Sequence, residues 1–198
     1  MRAEWTKLRT TPGAVWSLLV TAAVTVALGG AVCAAATTCG TKVLLSGVYA
    51  GQAPVAVLGV LVVSGEYSTG LICTTLAAVP RRVTVMAAKA AVVAVVVAVT
   101  ASAVAAVGLI EGADLRATAR AVAYLVLIAL LSVGVAAVVH DSAVAIGCVL
   151  GLLYLPPILA PLVAHPQLVE DLAPMTAGLP VLTAWSAVAL LTGTLRLR

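Results

Sequence analysis

The chain contains no phenylalanine and very little charge. Only 9% of its 198 residues are Asp, Glu, Lys or Arg, whereas 63% are hydrophobic, and the mean hydropathy is +1.21. Soluble domains carry about 25% charged residues, so a soluble globular protein is excluded. The apolar residues form long continuous runs, and a chain in lipid must satisfy its backbone hydrogen bonds internally. The sequence therefore predicts an all-α, polytopic membrane protein with a single transmembrane domain spanning 1–198.

Motifs for chemistry and for energy supply are also absent. The sequence has no G-x-x-x-x-G-K-[ST] motif for a P-loop and no H-E-x-x-H motif, and its two histidines, His140 and His165, have no plausible nucleophile nearby. We therefore expect no enzymatic activity, no cofactor-binding residue and no metal ligand in this chain. No ionisable residue lies deep within a predicted span, which argues against an ion-driven carrier acting alone. If the protein moves a molecule uphill, the energy must come from a partner.

The four cysteines form no C-x-x-C pair, so a zinc site is not expected. Buried free thiols are the default interpretation for all of them. A disulfide between Cys33 and Cys39, near the end of the first span, is the alternative.

The apolar runs predict six membrane spans. A basic, amphipathic helix over 1–11 precedes the first span, which is longer than the apolar core of a cleaved signal peptide. A proline-rich apolar stretch over 163–178 predicts short re-entrant or interfacial helices. Pro156 and Pro157 break the fifth span and are either a hinge or a static kink. The predicted spans cover about 13–36, 47–64, 87–110, 119–139, 142–162 and 179–195.

The basic residues predict an orientation with both termini in the cytoplasm. Eight basic residues then lie on the cytoplasmic side and three outside, as the positive-inside rule requires. The outer three are Lys42, Arg116 and Arg120. The inner eight are Arg2, Lys7, Arg9, Arg81, Arg82, Lys89, Arg196 and Arg198.

The longest polar interruption, 65–86, is predicted to lie on the cytoplasmic side between the second and third spans. Apolar residues at helical spacing within it predict a short helix with one apolar stripe, which Pro80 ends. Such a segment lies along a membrane surface or against a partner. The alternative is a solvated connection whose arginines only set the topology. The candidate contact residues are Glu66, Tyr67, Ser68, Gly70, Thr74, Thr75, Pro80, Arg81 and Arg82.

Two stretches resemble the permease (membrane) subunits of bacterial ATP-binding-cassette exporters of the type-2 family, which export drugs and antibiotics. The segment beginning at Gly65 resembles that family's G-E-Y-x-x-G pattern, which is followed by a short helix, x-P-x-R and a lysine, here Lys89. The start of the chain resembles its E-W-x-K-L opening through Glu4, Trp5, Lys7 and Leu8. The likeness in layout covers nearly the whole chain, but these two motifs are not catalytic. The chain is also short for such a permease, with trimmed turns such as His140-Asp141.

The resemblance implies a permease that pairs with a second permease chain and with two P-loop ATPase subunits, which bind the ATP and magnesium. It also implies export of a hydrophobic or amphipathic molecule, such as an antibiotic, a peptide or a lipid-like compound, through the bacterial cell membrane. Segment 65–86 would then be the coupling segment that receives the ATPase. A non-transporting membrane scaffold or anchoring subunit is the alternative, and a passive channel is less favoured because no polar stripe runs through the spans.

Overall fold

The structure, a computed structural model, describes residues 41–68, 82–110, 114–159 and 178–196. All secondary structure in these ranges is α-helical, as the composition predicts. Three of the helices are long and apolar enough to cross a membrane, namely α2, α3 and α4, while α1 and α5 contribute the shorter apolar stretches Gly51–Gly65 and Leu179–Leu195. The helices are α1 (Thr41–Ser68), α2 (Arg82–Ile110), α3 (Leu115–Val139), α4 (Ser142–Leu159) and α5 (Leu179–Arg196).

Helix α3 is the centre of the bundle, because it packs against each of the other four helices. It runs parallel to α1. Near the start of both helices Tyr124 is hydrogen-bonded to Gln52, and further along Gly59 faces Ser132. A Cβ atom at Gly59 would lie 2.8 Å from the Ser132 Cβ atom, so the two helix backbones approach too closely for any larger residue. Such close approach at small residues is the usual way in which helices associate in lipid.

Helix α5 packs on another side of α3, also in parallel and also through glycines. A Cβ atom at Gly134 would lie 2.6 Å from the carbonyl carbon of Ala189 and 2.8 Å from the amide nitrogen of Leu190. A Cβ atom at Gly193 would lie 2.9 Å from that of Ala137. Because these neighbours are backbone atoms or Cβ atoms, they cannot move aside by a change of side-chain rotamer.

Helices α2 and α4 run in the opposite direction to α1, α3 and α5. The side chain of Met86, at the start of α2, reaches Gly193 near the end of α5. The side chain of Tyr154, late in α4, reaches Tyr49, early in α1. One end of the bundle therefore holds the last residues of α1, α3 and α5 and the first residues of α2 and α4. We call it the Arg82 end.

The turn between α3 and α4 has only two residues, His140 and Asp141. His140 has a left-handed backbone (φ 64°), and its amide donates to the carbonyl of Ala136, which closes the end of α3. The carboxylate of Asp141 accepts a 2.8 Å hydrogen bond from the amide of Val144 and caps α4. Both turn residues are exposed, so the tight polar turn expected from the sequence is present.

Several helix ends differ from the spans expected from the sequence. Helix α1 covers 41–68 rather than 47–64, and α2 begins at Arg82 rather than at Ala87. Residues 41–46 contain neither glycine nor proline, so nothing among them stops a helix. The proposed coupling segment 65–86 is thus shared: 65–68 belongs to α1, 82–86 belongs to α2, and 69–81 lies outside the described residues.

Other expectations fall partly or wholly outside the described residues. These include the amphipathic helix 1–11, the first span over 13–36, Cys33, Cys39, and most of the re-entrant segment 163–178. The count of six spans and the cytoplasmic position of both termini thus remain predictions.

Within α4, Pro156 and Pro157 do not break the helix, which continues to Leu159. Cys148 is a free thiol, and it is exposed rather than buried.

The glycine contacts predict that two substitutions to alanine have very different effects on stability. Gly134→Ala places its Cβ against the backbone of α5, and we expect a loss of about 1–3 kcal/mol in the free energy of unfolding, as for other overpacked interiors. Gly147→Ala on α4 meets no atom within 4 Å, so we expect no loss and a small gain from higher helix propensity. Thermal unfolding of the detergent-solubilised protein measures both. Equal melting temperatures for the two variants would contradict the close α3–α5 packing.

Candidate functional site

The described parts of the G-E-Y and P-x-R motifs come to the same end of the bundle. Glu66, Tyr67 and Ser68 form the last turn of α1, and Arg82 begins α2. Both positions are at the Arg82 end, although they belong to helices of opposite direction. The other proposed contact residues lie outside the described residues: Gly70, Thr74, Thr75, Pro80 and Arg81, together with Glu4, Trp5 and Lys7 of the N-terminal helix.

Lys89 requires a correction to the sequence interpretation. It was expected to open the third span and to count among the cytoplasmic basic residues. In the structure it lies in the second turn of α2, within the apolar stretch Val83–Ala106, and is only 2% exposed. Its Nζ atom is itself buried. An ionisable residue therefore does lie within an apolar helix that is long enough to cross a membrane.

Lys89 shares one face of α2 with other buried residues. Met86 lies one turn before it and is 2% exposed, and Val93 and Val97 follow it at helical spacing and are also buried. The Met86 methyl carbon lies 3.6 Å from the position that a Cβ atom at Gly193 would take, in the last turn of α5. This face of α2 is therefore turned into the bundle, and its first two turns meet the Arg82 end of the neighbouring helices.

A second polar cluster lies towards the opposite end, where α1, α3 and α4 meet. Gln52 is completely buried in α1 and accepts a 2.6 Å hydrogen bond from the hydroxyl of Tyr124 on α3. The Tyr124 ring packs edge-on against Tyr49, with ring centroids 6.2 Å apart. An interhelical hydrogen bond to a buried amide is directional, so it fixes the register of α1 against α3 as well as their distance.

The same cluster ties α4 to α1. The hydroxyl of Tyr154 donates a 3.0 Å hydrogen bond to the backbone carbonyl of Tyr49. Pro54, four residues after Ala50, has no amide hydrogen, so the helix lacks one backbone hydrogen bond in the turn next to this contact. Tyr49 is about half exposed, so the cluster extends from the buried Gln52 to the surface of the bundle. We call Tyr49, Gln52, Tyr124 and Tyr154 the tyrosine cluster.

Most other buried hydroxyl groups are satisfied within their own helices. Ser132 donates to the carbonyl of Ile128, Thr118 to that of Asp114, and Ser186 to that of Thr183. Ser64 differs, because its buried hydroxyl makes no hydrogen bond within the described ranges. Among those same residues no three His, Cys, Asp or Glu side chains are grouped as metal ligands.

Sequence analysis missed the tyrosine cluster and the burial of Lys89. Gln52 and Tyr124 are 72 residues apart, so no local spacing joins them. A signal was nevertheless present, because each is a polar side chain within an apolar segment, and such residues usually face another helix. For Lys89 the signal was its four-residue spacing to Val93 on an otherwise apolar face.

Comparison with known proteins does not identify a family. No protein-family model matches the chain, and no curated protein and no solved structure matches it. The interpretation of the two sites therefore depends on their geometry and on the motif resemblance.

The two tyrosine hydrogen bonds predict unequal effects on stability. Tyr124→Phe removes the 2.6 Å hydrogen bond to the side-chain oxygen of the buried Gln52, inside the bundle, and we expect a loss of about 1 kcal/mol in the free energy of unfolding. Tyr154→Phe removes an exposed hydrogen bond, which water or lipid headgroups can replace. We therefore expect a loss below about 0.5 kcal/mol in the free energy of unfolding. Both variants remove one hydroxyl group, so each is the control for the other. If both variants lowered the melting temperature by the same amount, burial of the Tyr124–Gln52 hydrogen bond would contribute no extra stability.

Proposed function

We propose that this protein is the membrane permease subunit of an ATP-driven exporter in the bacterial cell membrane. It moves a hydrophobic or amphipathic molecule, such as an antibiotic, a peptide or a lipid-like compound, out of the cell. The energy comes from a separate P-loop ATPase that binds ATP and magnesium. The permease pairs with a second copy or a related chain, and both of its termini are cytoplasmic.

The observation that supports this proposal most directly is the position of the two motif flanks. The last turn of α1, with Glu66, and the first residue of α2, Arg82, lie at one end of the bundle. The chain that joins them must leave and re-enter the bundle there. A partner that pushes on this connection moves α1 and α2 together. Because α1 and α2 both pack on α3, the movement would reach the central helix directly.

The outer surface supports a membrane environment and a further chain. Large apolar side chains are exposed on α2, α4 and α5, among them Val99, Ile158 and Leu191, each more than 60% exposed. Lipid tails or a second permease chain are suitable cover for such surfaces, whereas water is not. The interior is not uniformly apolar, because it contains Lys89 and the pair Gln52–Tyr124. An amphipathic cargo agrees with that mixture better than a purely hydrophobic one.

The first test is gentle purification of the protein from its native host, with mass spectrometry of the proteins that accompany it. We expect a P-loop ATPase in equal amount, and ATP-dependent transport in vesicles made from the same membranes. Recovery of the chain alone, or with a complex that contains no ATPase, would overturn the exporter proposal. It would favour the scaffold or anchoring subunit instead.

The proposed coupling segment predicts which charged residues are needed for ATP-dependent transport. Replacing Glu66, Arg81 and Arg82 together with glutamine is expected to abolish ATP-dependent transport and to weaken recovery of the ATPase, because these charges lie in the segment assigned to docking. The matched control is Arg116→Gln with Arg120→Gln, two exposed arginines towards the opposite end of the bundle. We expect this control to transport normally. Transport that survives the triple change, or that fails equally in the control, would show that the segment has no special role.

A further inference from the structure

Three of the chain's four tyrosines meet at one place in the bundle, each from a different helix. Tyr49 comes from α1, Tyr124 from α3 and Tyr154 from α4. The Tyr124 hydroxyl lies close enough to those of Tyr49 and Tyr154 to interact electrostatically with both. Tyrosines that only anchor a helix at a membrane interface direct their hydroxyls to water and headgroups. Here two of the three hydroxyls donate to the protein itself, so interfacial anchoring does not account for the cluster.

The hydrogen-bonding capacity left over in the tyrosine cluster is mainly that of an acceptor. Tyr124 donates its one hydroxyl proton to the side-chain oxygen of Gln52, and Tyr154 donates its own to the carbonyl of Tyr49. Each phenolic oxygen keeps lone pairs that can still accept a hydrogen bond. Tyr49 is about half exposed, and its hydroxyl makes no hydrogen bond to the residues that the structure describes. A molecule that binds at the cluster therefore has to donate a hydrogen bond.

The surroundings of the cluster favour a neutral donor over a charged group. A carboxylate would face phenolic oxygens and the electron-rich faces of aromatic rings, which repel it. An ammonium group would need a counter-ion in this apolar setting. No acidic residue lies within four positions of Tyr49, Tyr124 or Tyr154 along the chain, whereas the exposed Arg120 lies one turn before Tyr124. A hydroxyl group donates a hydrogen bond without carrying a charge, so it meets both conditions.

An open strip on α4 leads away from the cluster. Gly151 and Gly147 precede Tyr154 by three and seven residues, so the three residues lie on one face of the helix. A Cβ atom at either glycine would meet no atom of the described residues within 4 Å, whereas the glycines between α3 and its neighbours α1 and α5 are closed at less than 3 Å. Because the Tyr154 hydroxyl reaches Tyr49, this face borders α1. An apolar chain can lie along the strip without displacing a side chain.

We propose that the tyrosine cluster and this strip form a binding site for a neutral, single-chain amphipathic alcohol that enters from the membrane. The hydroxyl of the alcohol donates to a phenolic oxygen of the cluster, and its apolar chain lies along Gly151 and Gly147. The molecule is then oriented as a lipid is, with its head group towards one end of the bundle and its tail towards the middle. Binding needs neither ATP nor a partner chain, so this inference goes beyond the proposed function and is tested separately from it.

The test uses the purified full chain in lipid nanodiscs and four probes that share one saturated alkyl chain. The probes are the primary alcohol, its methyl ether, the primary amine and the carboxylic acid, each with a photoreactive diazirine in the chain. Mass spectrometry of the peptides locates the crosslink, and titration gives the dissociation constant. We expect the alcohol to crosslink to α4 between Gly147 and Tyr154. We expect it to bind about threefold to tenfold more tightly than the ether, which lacks only the donor, and more tightly than both charged probes.

Two variants separate the head group from the tail. Tyr49→Phe removes a hydroxyl that holds no described residue, so we expect an unchanged melting temperature and a loss of affinity for the alcohol of about threefold to tenfold, to the level of the ether. Gly151→Leu fills the strip, so we expect it to abolish the crosslink while it keeps or raises the melting temperature, because leucine has a higher helix propensity than glycine. The matched control is Cys148→Leu, an exposed position on the same helix about 100° around the axis from Gly147. We expect this control to bind the alcohol normally.

Three results would overturn the inference, and none of them bears on the ATP-driven exporter. Equal affinities for the alcohol and the ether, or normal affinity in Tyr49→Phe, would show that the cluster does not bind the head group. A lower melting temperature in Gly151→Leu, together with no crosslink to α4 in the unmodified chain, would show that another helix covers the strip. Crosslinks spread evenly over the exposed faces of α2, α4 and α5 would show that the alcohol only dissolves in the surrounding lipid.

Discussion

The close backbone contacts of α3 with α1 and α5 are the constraint on which the rest of the bundle depends. In lipid, helices gain little from hiding apolar surface from one another, so association relies on close packing and interhelical hydrogen bonds. Positions 59, 134 and 193 provide that packing, because a Cβ atom at any of them would lie less than 3 Å from an atom of the facing helix. The three parallel helices are thereby held in register. Their last residues share one end, and both the motif flanks and Lys89 take their positions from that arrangement.

The sequence alone predicts the helical class and the turn at His140-Asp141. Both follow from local features, namely the long apolar runs and two polar residues between them. The ends of α1 and α2 do not follow, because polar residues indicate a loop only where some residue also stops the helix. The stretch 41–46 and residues 82–86 are polar or charged in part, yet each continues a helix. Helix ends depend on capping and on the neighbouring helices as much as on composition.

The candidate sites are less predictable than the helices, since they depend on contacts between distant parts of the chain. Lys89 lies at the edge of an apolar run, where the sequence allows either a solvated or a buried position. In the structure it is buried, on the face of α2 that also holds Met86 and Val93. Gln52 and Tyr124 are joined only because α1 and α3 run parallel at the right register. Even the two motif flanks, which the motif resemblance singled out, acquire a common location only through the fold.

The two-residue turn between α3 and α4 has a mechanical consequence. It pins the start of α4 to the end of α3, so any rigid displacement of α4 relative to α3 is a rotation about that point, and its amplitude grows along the helix. Tyr154 lies about 18 Å along the axis from Ser142, at about 1.5 Å per residue. A tilt of about 5° therefore shifts Tyr154 by roughly 1.5 Å, which is enough to lose a hydrogen bond of ordinary length. The contact between Tyr154 and Tyr49 lies far from the turn, so a tilt of α4 about Asp141 displaces it more than contacts nearer to Ser142.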